Sequence, residues 1–236
     1  AEYQAAFGLV RDYDNIWDSQ LDVWHMRLAK KSEKEIFTAS QISHTPMDMV
    51  YLLEDTDAEE LMKYPVLIYP HPLILTEKRA EVLEQYVKAG GCLILGCRTG
   101  QKDENGRCVM QPMPGLLSSL AQTDVKEFTF IGPADDAVFM DWEGKQVETG
   151  LFNDILATTG PDVRILAKYS SNYYEGRPAL AETGCGKGKV LHFGGTFTRE
   201  NVKEFLAYTG VLSPYQELAE VPEACEIAMR VKDGKK

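Results

Sequence analysis

Within the first hundred residues, four short apolar runs alternate with segments of helical pattern: FGLV at 7–10, MDMVYLL at 47–53, VLIYP at 66–70 and CLILGC at 92–97. Each run has the length of a buried strand, and the segments between them are too long for hairpins. Consecutive strands joined by helices form right-handed βαβ units, so the expected fold is α/β: a mostly parallel sheet with helices on both faces. Leu21, Trp24, Met26 and Leu28 recur at roughly helical spacing, and Thr45-Pro46 stops that helix. Thr56 with Glu59, and Asp57 with Glu60, have capping-box spacing before AEELMKY. Thr76 opens a helix that puts Ala80, Leu83 and Val87 on one face and ends at Gly90-Gly91. The polar-aromatic stretch DYDNIWD after the first strand reads as a loop.

The second half changes character. RTGQKDENGRCVMQPMPG, with its glycines and prolines, is expected to be a long loop leading to the helix GLLSSLAQ. VKEFTF, AVFMDW, VRILAKY, PALAET and KVLHFGG read as strands joined by turn signals, which adds β-hairpins to the α/β core. GCGKGKV at 184–190 imitates a phosphate loop, but it joins two strands and lacks the Lys-Ser/Thr ending, so it reads as a glycine-rich hairpin. RENVKEFLAYTG is a last helix, and a strand follows it up to the turn signal Asp233-Gly234. The returning strand is missing, and a strand without a partner is marginal, so the expectation is a segment of a longer polypeptide.

A net charge of −11 opposes phosphate backbones and anionic lipid, which argues against nucleic-acid and membrane-surface roles. No window approaches the ~20 apolar residues of a membrane span, and no export signal is legible. The cysteines Cys92, Cys97, Cys108, Cys185 and Cys225 are odd in number and scattered, which reads as reduced thiols in a cytoplasmic protein. His25, His44 and His71 lack ligands at metal spacing and read as structural, so no metal and no cofactor is expected.

Three readings of function compete. Cys97, at the end of a parallel strand, could be a nucleophile with His192 as its base, as in a cysteine-dependent amidotransferase. Polar loop follows it, however, where a nucleophile elbow requires a helix, so a buried structural cysteine is the plainer reading. Trp17 or Trp142 could be the stacking platform of a carbohydrate-binding module. Trp17 and the Tyr173-Tyr174 pair stand in apparent loops, where large aromatics mark interface anchors.

DYDNIW, YVKAGGCLILGCRTG, the run Asp103-Glu104-Asn105, YYEGRPA and GKGKVLHFGG, in that order and spacing, resemble the middle domain of family 42 glycoside hydrolases, the bacterial β-galactosidases. The resemblance implies a glutamine-amidotransferase-like, flavodoxin-like fold that has lost its catalytic centre and serves in subunit association, with Arg98 and Gly100 as matching residues and no catalytic residue. It implies residues 1–212 as the trimerisation domain and 213–236 as a linker with the first strand of a truncated C-terminal β domain. The implied partners are further copies in a homotrimer and the barrel domains of the same and neighbouring chains. Galactosides enter only through the parent, whose retaining two-glutamate barrel needs ~250 residues absent here. Trp17, Arg98, Asp103, Glu104, Asn105, Tyr173 and Tyr174 are then the expected interface or substrate-entrance residues.

Overall fold

The computed structural model describes residues 2–215 and 220–233. In chain order, the first half comprises β1 (Glu2–Tyr3), β2 (Phe7–Arg11), α1 (Tyr13–Leu21), α2 (Val23–Ile42), β3 (Met47–Tyr51), α3 (Ala58–Leu61), β4 (Val66–Tyr69), α4 (Glu77–Ala89) and β5 (Cys92–Leu95). A 3-10 turn (Gly115–Leu117) and α5 (Ser118–Ala121) then lead to β6 (Thr123–Phe130), β7 (Phe139–Trp142), β8 (Lys145–Glu148) and β9 (Phe152–Thr158). The chain continues through β10 (Val163–Tyr169), β11 (Pro178–Cys185), β12 (Gly188–Phe193), α6 (Arg199–Tyr208) and β13 (Arg230–Val231).

The main sheet has nine strands in the order β3-β2-β4-β5-β12-β11-β10-β7-β8. Neighbours from β3 to β12 are parallel, and those from β12 to β8 are antiparallel. The parallel half carries the α/β core that the apolar runs predict, and the hairpins extend it into a mixed sheet. Side chains alternate across the strands, so each face has its own core. Phe7, Leu9, Ile68, Ile94, Leu191 and Phe193 pack with Ile36 of α2 and Phe205 of α6 on one side. Val10, Leu67, Leu93, Leu95 and Val190 pack with Leu61, Leu83 and Val87 of α3 and α4 on the other.

The local signals have visible causes. The Thr76 side chain accepts the Arg79 N–H at the start of α4, and Gly90 ends that helix at φ +130°. The glycine-rich segment is a tight hairpin between β11 and β12, with Cys185 opposite Gly188.

Three expectations change. DYDNIWD is not a loop: the Asp12 carboxylate caps α1 by accepting the Asn15 N–H. The run around Leu151–Thr159 contains β9, unread in the sequence because Asn153 and Asp154 interrupt its apolar pattern; it pairs with β6 in a separate ribbon. The strand near the C-terminus has a partner, since Arg230–Val231 pairs with Glu2–Tyr3. Gly234, the second half of the expected hairpin signal, lies outside the described residues.

Ile94 is wholly buried in a central strand, whereas Met49 is half exposed on the edge strand β3. Ile94→Ala should cost ~2–5 kcal/mol in chemical denaturation and Met49→Ala less than ~0.5 kcal/mol; equal costs would contradict this layering.

Candidate functional site

The carboxyl ends of β2, β4 and β5 meet at one edge of the sheet, where open α/β folds place their sites. Asp12 follows β2 there with no solvent-accessible side-chain surface. Its oxygens accept the Asn15 N–H (2.9 Å), the Asn15 side-chain amide (2.7 Å), the Tyr69 hydroxyl and an Arg79 N–H (3.1 Å). Arg79 also donates to Asp14, so the start of α4 is bound to the start of α1.

A second polar cluster joins α1 and α2 to the long loop. Lys102 Nζ lies 2.8 Å from both Asp18 oxygens and 2.9 Å from Asp22, which in turn caps α2. Burial alone would raise the Asp22 pKa, but the Lys102 hydrogen bond and the His25 N–H outweigh it and hold the carboxyl near 2. The loop beyond Lys102 is shaped by Asp103, whose carboxylate accepts the N–H groups of Asn105 and Arg107. Trp17 and the Asp103–Asn105 turn therefore lie at the same edge, connected through Asp18 and Lys102.

Cys97 is fully buried, and its imidazole neighbour is His71, with Nδ1 at 3.5 Å from Sγ. The alternative pairing with His192 is absent, because His192 is turned toward Thr123, with Nδ1 2.8 Å from its hydroxyl. His71 is no base for the thiol either. Its Nδ1 is 3.0 Å from the Cys97 carbonyl, which can only accept, so that nitrogen carries the proton. Its Nε2 then accepts from Ser32 (2.7 Å), whose oxygen accepts the Phe197 N–H (3.1 Å). Burial pushes the Cys97 thiol up and holds the His71 imidazole down to about 3, which leaves both groups neutral. The arrangement is a structural relay joining α2, two strand ends and the start of α6, with no thiolate for chemistry.

Arg98, the next residue, takes φ +61°, and Gly100 is required where a Cβ would meet the Pro114 oxygen at 2.3 Å. The Arg98 side chain is turned inward: Nε donates to Gln101 (2.7 Å) and the guanidinium lies over Phe152. Its N–H donates to Asp154 (2.7 Å), a wholly buried carboxyl on β9 that burial raises to about 7.

The remaining sequence candidates separate. Trp17 is 59% exposed, but it stands on α1 and not in a loop. Tyr173 is exposed and donates to Glu127, whereas Tyr174 is buried among Thr129, Asn153 and Tyr169. Trp142, the other proposed sugar platform, is buried against Phe205 and Tyr208 and presents no free face. The Asp12–Asn15 spacing was a cap signal; Asp154, His71, Ser32 and Lys102 gave none. Among the described residues, no group of His, Cys, Asp and Glu could hold a metal ion.

Asp154 supplies a test of this buried edge. Its folded pKa lies above its unfolded value, so the folded state keeps the proton between about pH 4 and 7, and stability is lost as pH rises through that window. Asp154→Asn retains an acceptor for the Arg98 N–H and should be more stable than the parent above pH 7, by ~1–4 kcal/mol, with the difference vanishing below pH ~4. A pH-independent difference in thermal denaturation would contradict the assignment.

The family described as the beta-galactosidase trimerisation domain matches residues 37–211. A beta-galactosidase from Clostridium cellulovorans is 33% identical over 150 residues, covering 64% of this chain and 22% of that protein. One from a Planococcus species is 25% identical over 241 residues, covering 99% of this chain and 35% of that protein. The chain thus spans about a fifth to a third of the length of these relatives. The crystal structure of a beta-galactosidase from Bacillus circulans sp. alkalophilus aligns with 99% of this chain and 35% of its own, with TM-score 0.83 and 23% identity, a likeness of fold. With three quarters of its length matched, the chain belongs to the beta-galactosidase trimerisation domain family.

Proposed function

We propose that this chain is the self-association module of a β-galactosidase-type glycoside hydrolase, that it meets two further copies in a closed homotrimer, and that it contributes no reacting group. The observation that carries the reading is the outward face of α1. Tyr13, Trp17 and Leu21, one helical turn apart, are 48%, 59% and 87% exposed, and Val23 and Trp24 extend the apolar surface into α2. A surface helix ordinarily turns such a stripe inward. Here the inward side is occupied by Asn15 and the Asp12 cap, so the apolar side is left for a partner.

A ring of three requires one patch to meet a different patch on the next subunit. The α1 stripe is the first patch, with Asp103, Glu104 and Asn105 at its margin. Tyr173 lies at the same sheet edge several strands away and belongs to a separate contact, while Arg98 and Tyr174 support the edge from within. This face also borders the barrel domain of the same or a neighbouring chain and narrows its sugar entrance. The parent acts on terminal β-D-galactosides with two barrel glutamates, one acid/base and one nucleophile. Residues 1–212 form the association domain, and 213–236 lead into a C-terminal β domain.

The strained Arg98 backbone at the strand end, in the place of a nucleophile elbow, supports descent from a glutamine-amidotransferase-like fold. Free cysteines support a cytoplasmic setting. Among the described residues, no helix is long and apolar enough to cross a membrane.

Leu21→Glu in the parent-length protein should convert a trimer into monomers in sedimentation velocity, weakening association by at least about tenfold with the circular dichroism unchanged. An intact trimer would contradict the placement of the interface, and hydrolysis of a chromogenic galactoside by residues 1–236 alone would contradict the non-catalytic reading.

A further inference from the structure

The charged residues of α2 sort by sign around the helix. Arg27, Lys30, Lys31 and Lys34 follow the spacing i, i+3, i+4, i+7, which gathers them on one face, and Val23 and Trp24 share that face one turn earlier. The face points away from the sheet: Val23, Trp24, Arg27, Lys30 and Lys34 are exposed, whereas Leu28 and Ile36 on the other side are wholly buried. The two carboxylates of α2 are engaged from outside the helix, Glu33 by Arg11 (3.2 Å) and Glu35 by Arg199 (3.9 Å). Among the described residues, no carboxylate is in ion-pair contact with any of the four cations. Like charges at this spacing weaken a helix, so the stripe does nothing for α2 itself.

The opposite arrangement follows β3. Residues 54–60, EDTDAEE, carry five carboxylates and no cation, and all five are exposed. Arg79 holds Glu54 (3.0 Å), while Lys63, the nearest cation in sequence, lies over the Tyr64 ring. Asp55, Glu59 and Glu60 have no cationic partner among the described residues. Leu53 and Met62, 40% and 37% exposed, bound the run with apolar surface.

α2 and α3 lie on opposite faces of the sheet, with Ile36 in one core and Leu61 in the other, so the cations of one copy cannot reach its own acids. A second copy can supply them. Each surface sets an apolar part beside charge of one sign, and the signs are opposite, the complementarity that steers two proteins together and disfavours wrong registers. Phosphate polymers, the other natural occupants of a cationic stripe, are repelled by the net charge of −11. The α2 face is also continuous with the α1 stripe, since Leu21 and Val23 flank the joint at Asp22.

We propose that the outward face of α2 docks on segment 53–62 of the next copy, with Val23 and Trp24 against Leu53 and Met62 and the four cations against Asp55, Glu59 and Glu60. This rests on the self-association reading above and names the second of the two patches that a closed ring requires. The apolar parts supply the burial, and the charges set the partner and the register.

The test is sedimentation velocity of the parent-length protein with exchanged charges. Lys30→Glu with Lys34→Glu, and separately Asp55→Lys with Glu60→Lys, should each weaken the trimer by at least about tenfold at low salt. All four substitutions in one chain exchange the signs across the contact and should restore association to within about threefold of the unsubstituted protein. The unsubstituted trimer should itself weaken by at least about threefold between roughly 50 and 500 mM NaCl. A trimer indifferent to salt, an undiminished trimer in either pair, or a fourfold variant as weak as the pairs would each overturn the proposal; the last result would assign these charges to a different occupant. A trimer that survives every exchange leaves the self-association reading standing and removes this one, whereas an unsubstituted protein that forms no trimer removes both. If one pair does not fold, the other pair and the salt dependence still decide.

Discussion

The arrangement of this edge rests on a carboxylate withdrawn from water. Asp12 stands where β2 ends, and its oxygens are occupied by groups from α1, β4 and α4. A buried carboxyl group lacking such partners is strongly unfavourable, so the elements that carry the donors are held in register around it. One acid thereby starts α1, fixes the end of β4 and anchors α4 through Arg79. It also determines which way α1 faces: with its polar groups drawn inward, the helix turns Tyr13, Trp17 and Leu21 to solvent.

Beneath this edge, a place that could hold a nucleophile is occupied by a relay of neutral groups. The Phe197 N–H, the Ser32 hydroxyl, the His71 imidazole and the Cys97 carbonyl form one chain of donors and acceptors with every direction determined. Proximity of an imidazole to a thiol is thus no sign of activation, because the nitrogen nearest Cys97 is protonated and donating. This edge thus offers no thiolate at Cys97, and the association proposed above uses its outer side. The Lys102 cluster ties the long loop to the helices that present the α1 stripe.

Much of the α/β core was legible because its signals are local. The runs that became β2 to β5, the Thr76 cap, the Gly90 stop and the tight hairpin before β12 each depend on a few adjacent residues. The misreadings arose where tertiary contacts override the pattern. DYDNIWD looked like a loop because its apolar residues face outward and its polar ones inward, the reverse of an ordinary surface helix. β9 was hidden by Asn153 and Asp154, which are buried because Arg98 and Tyr174 meet them. At the candidate site, the burial of Cys97 is legible from the apolar strand it ends and the polar loop that follows, yet its neighbour His71 stands 26 residues earlier, between two prolines, and nothing local marks it. Trp17 was visible as an anomaly, while the ion cluster that supports its helix was not.

The central claim is that the edge of the sheet is closed to chemistry and open to docking. Mass-spectrometric mapping of iodoacetamide labelling on the folded chain at neutral pH tests it directly. Cys108 and Cys225, both exposed, should be modified first, with Cys97 protected until the chain unfolds. Labelling of Cys97 ahead of the exposed cysteines under native conditions would reveal an accessible thiolate and contradict the account.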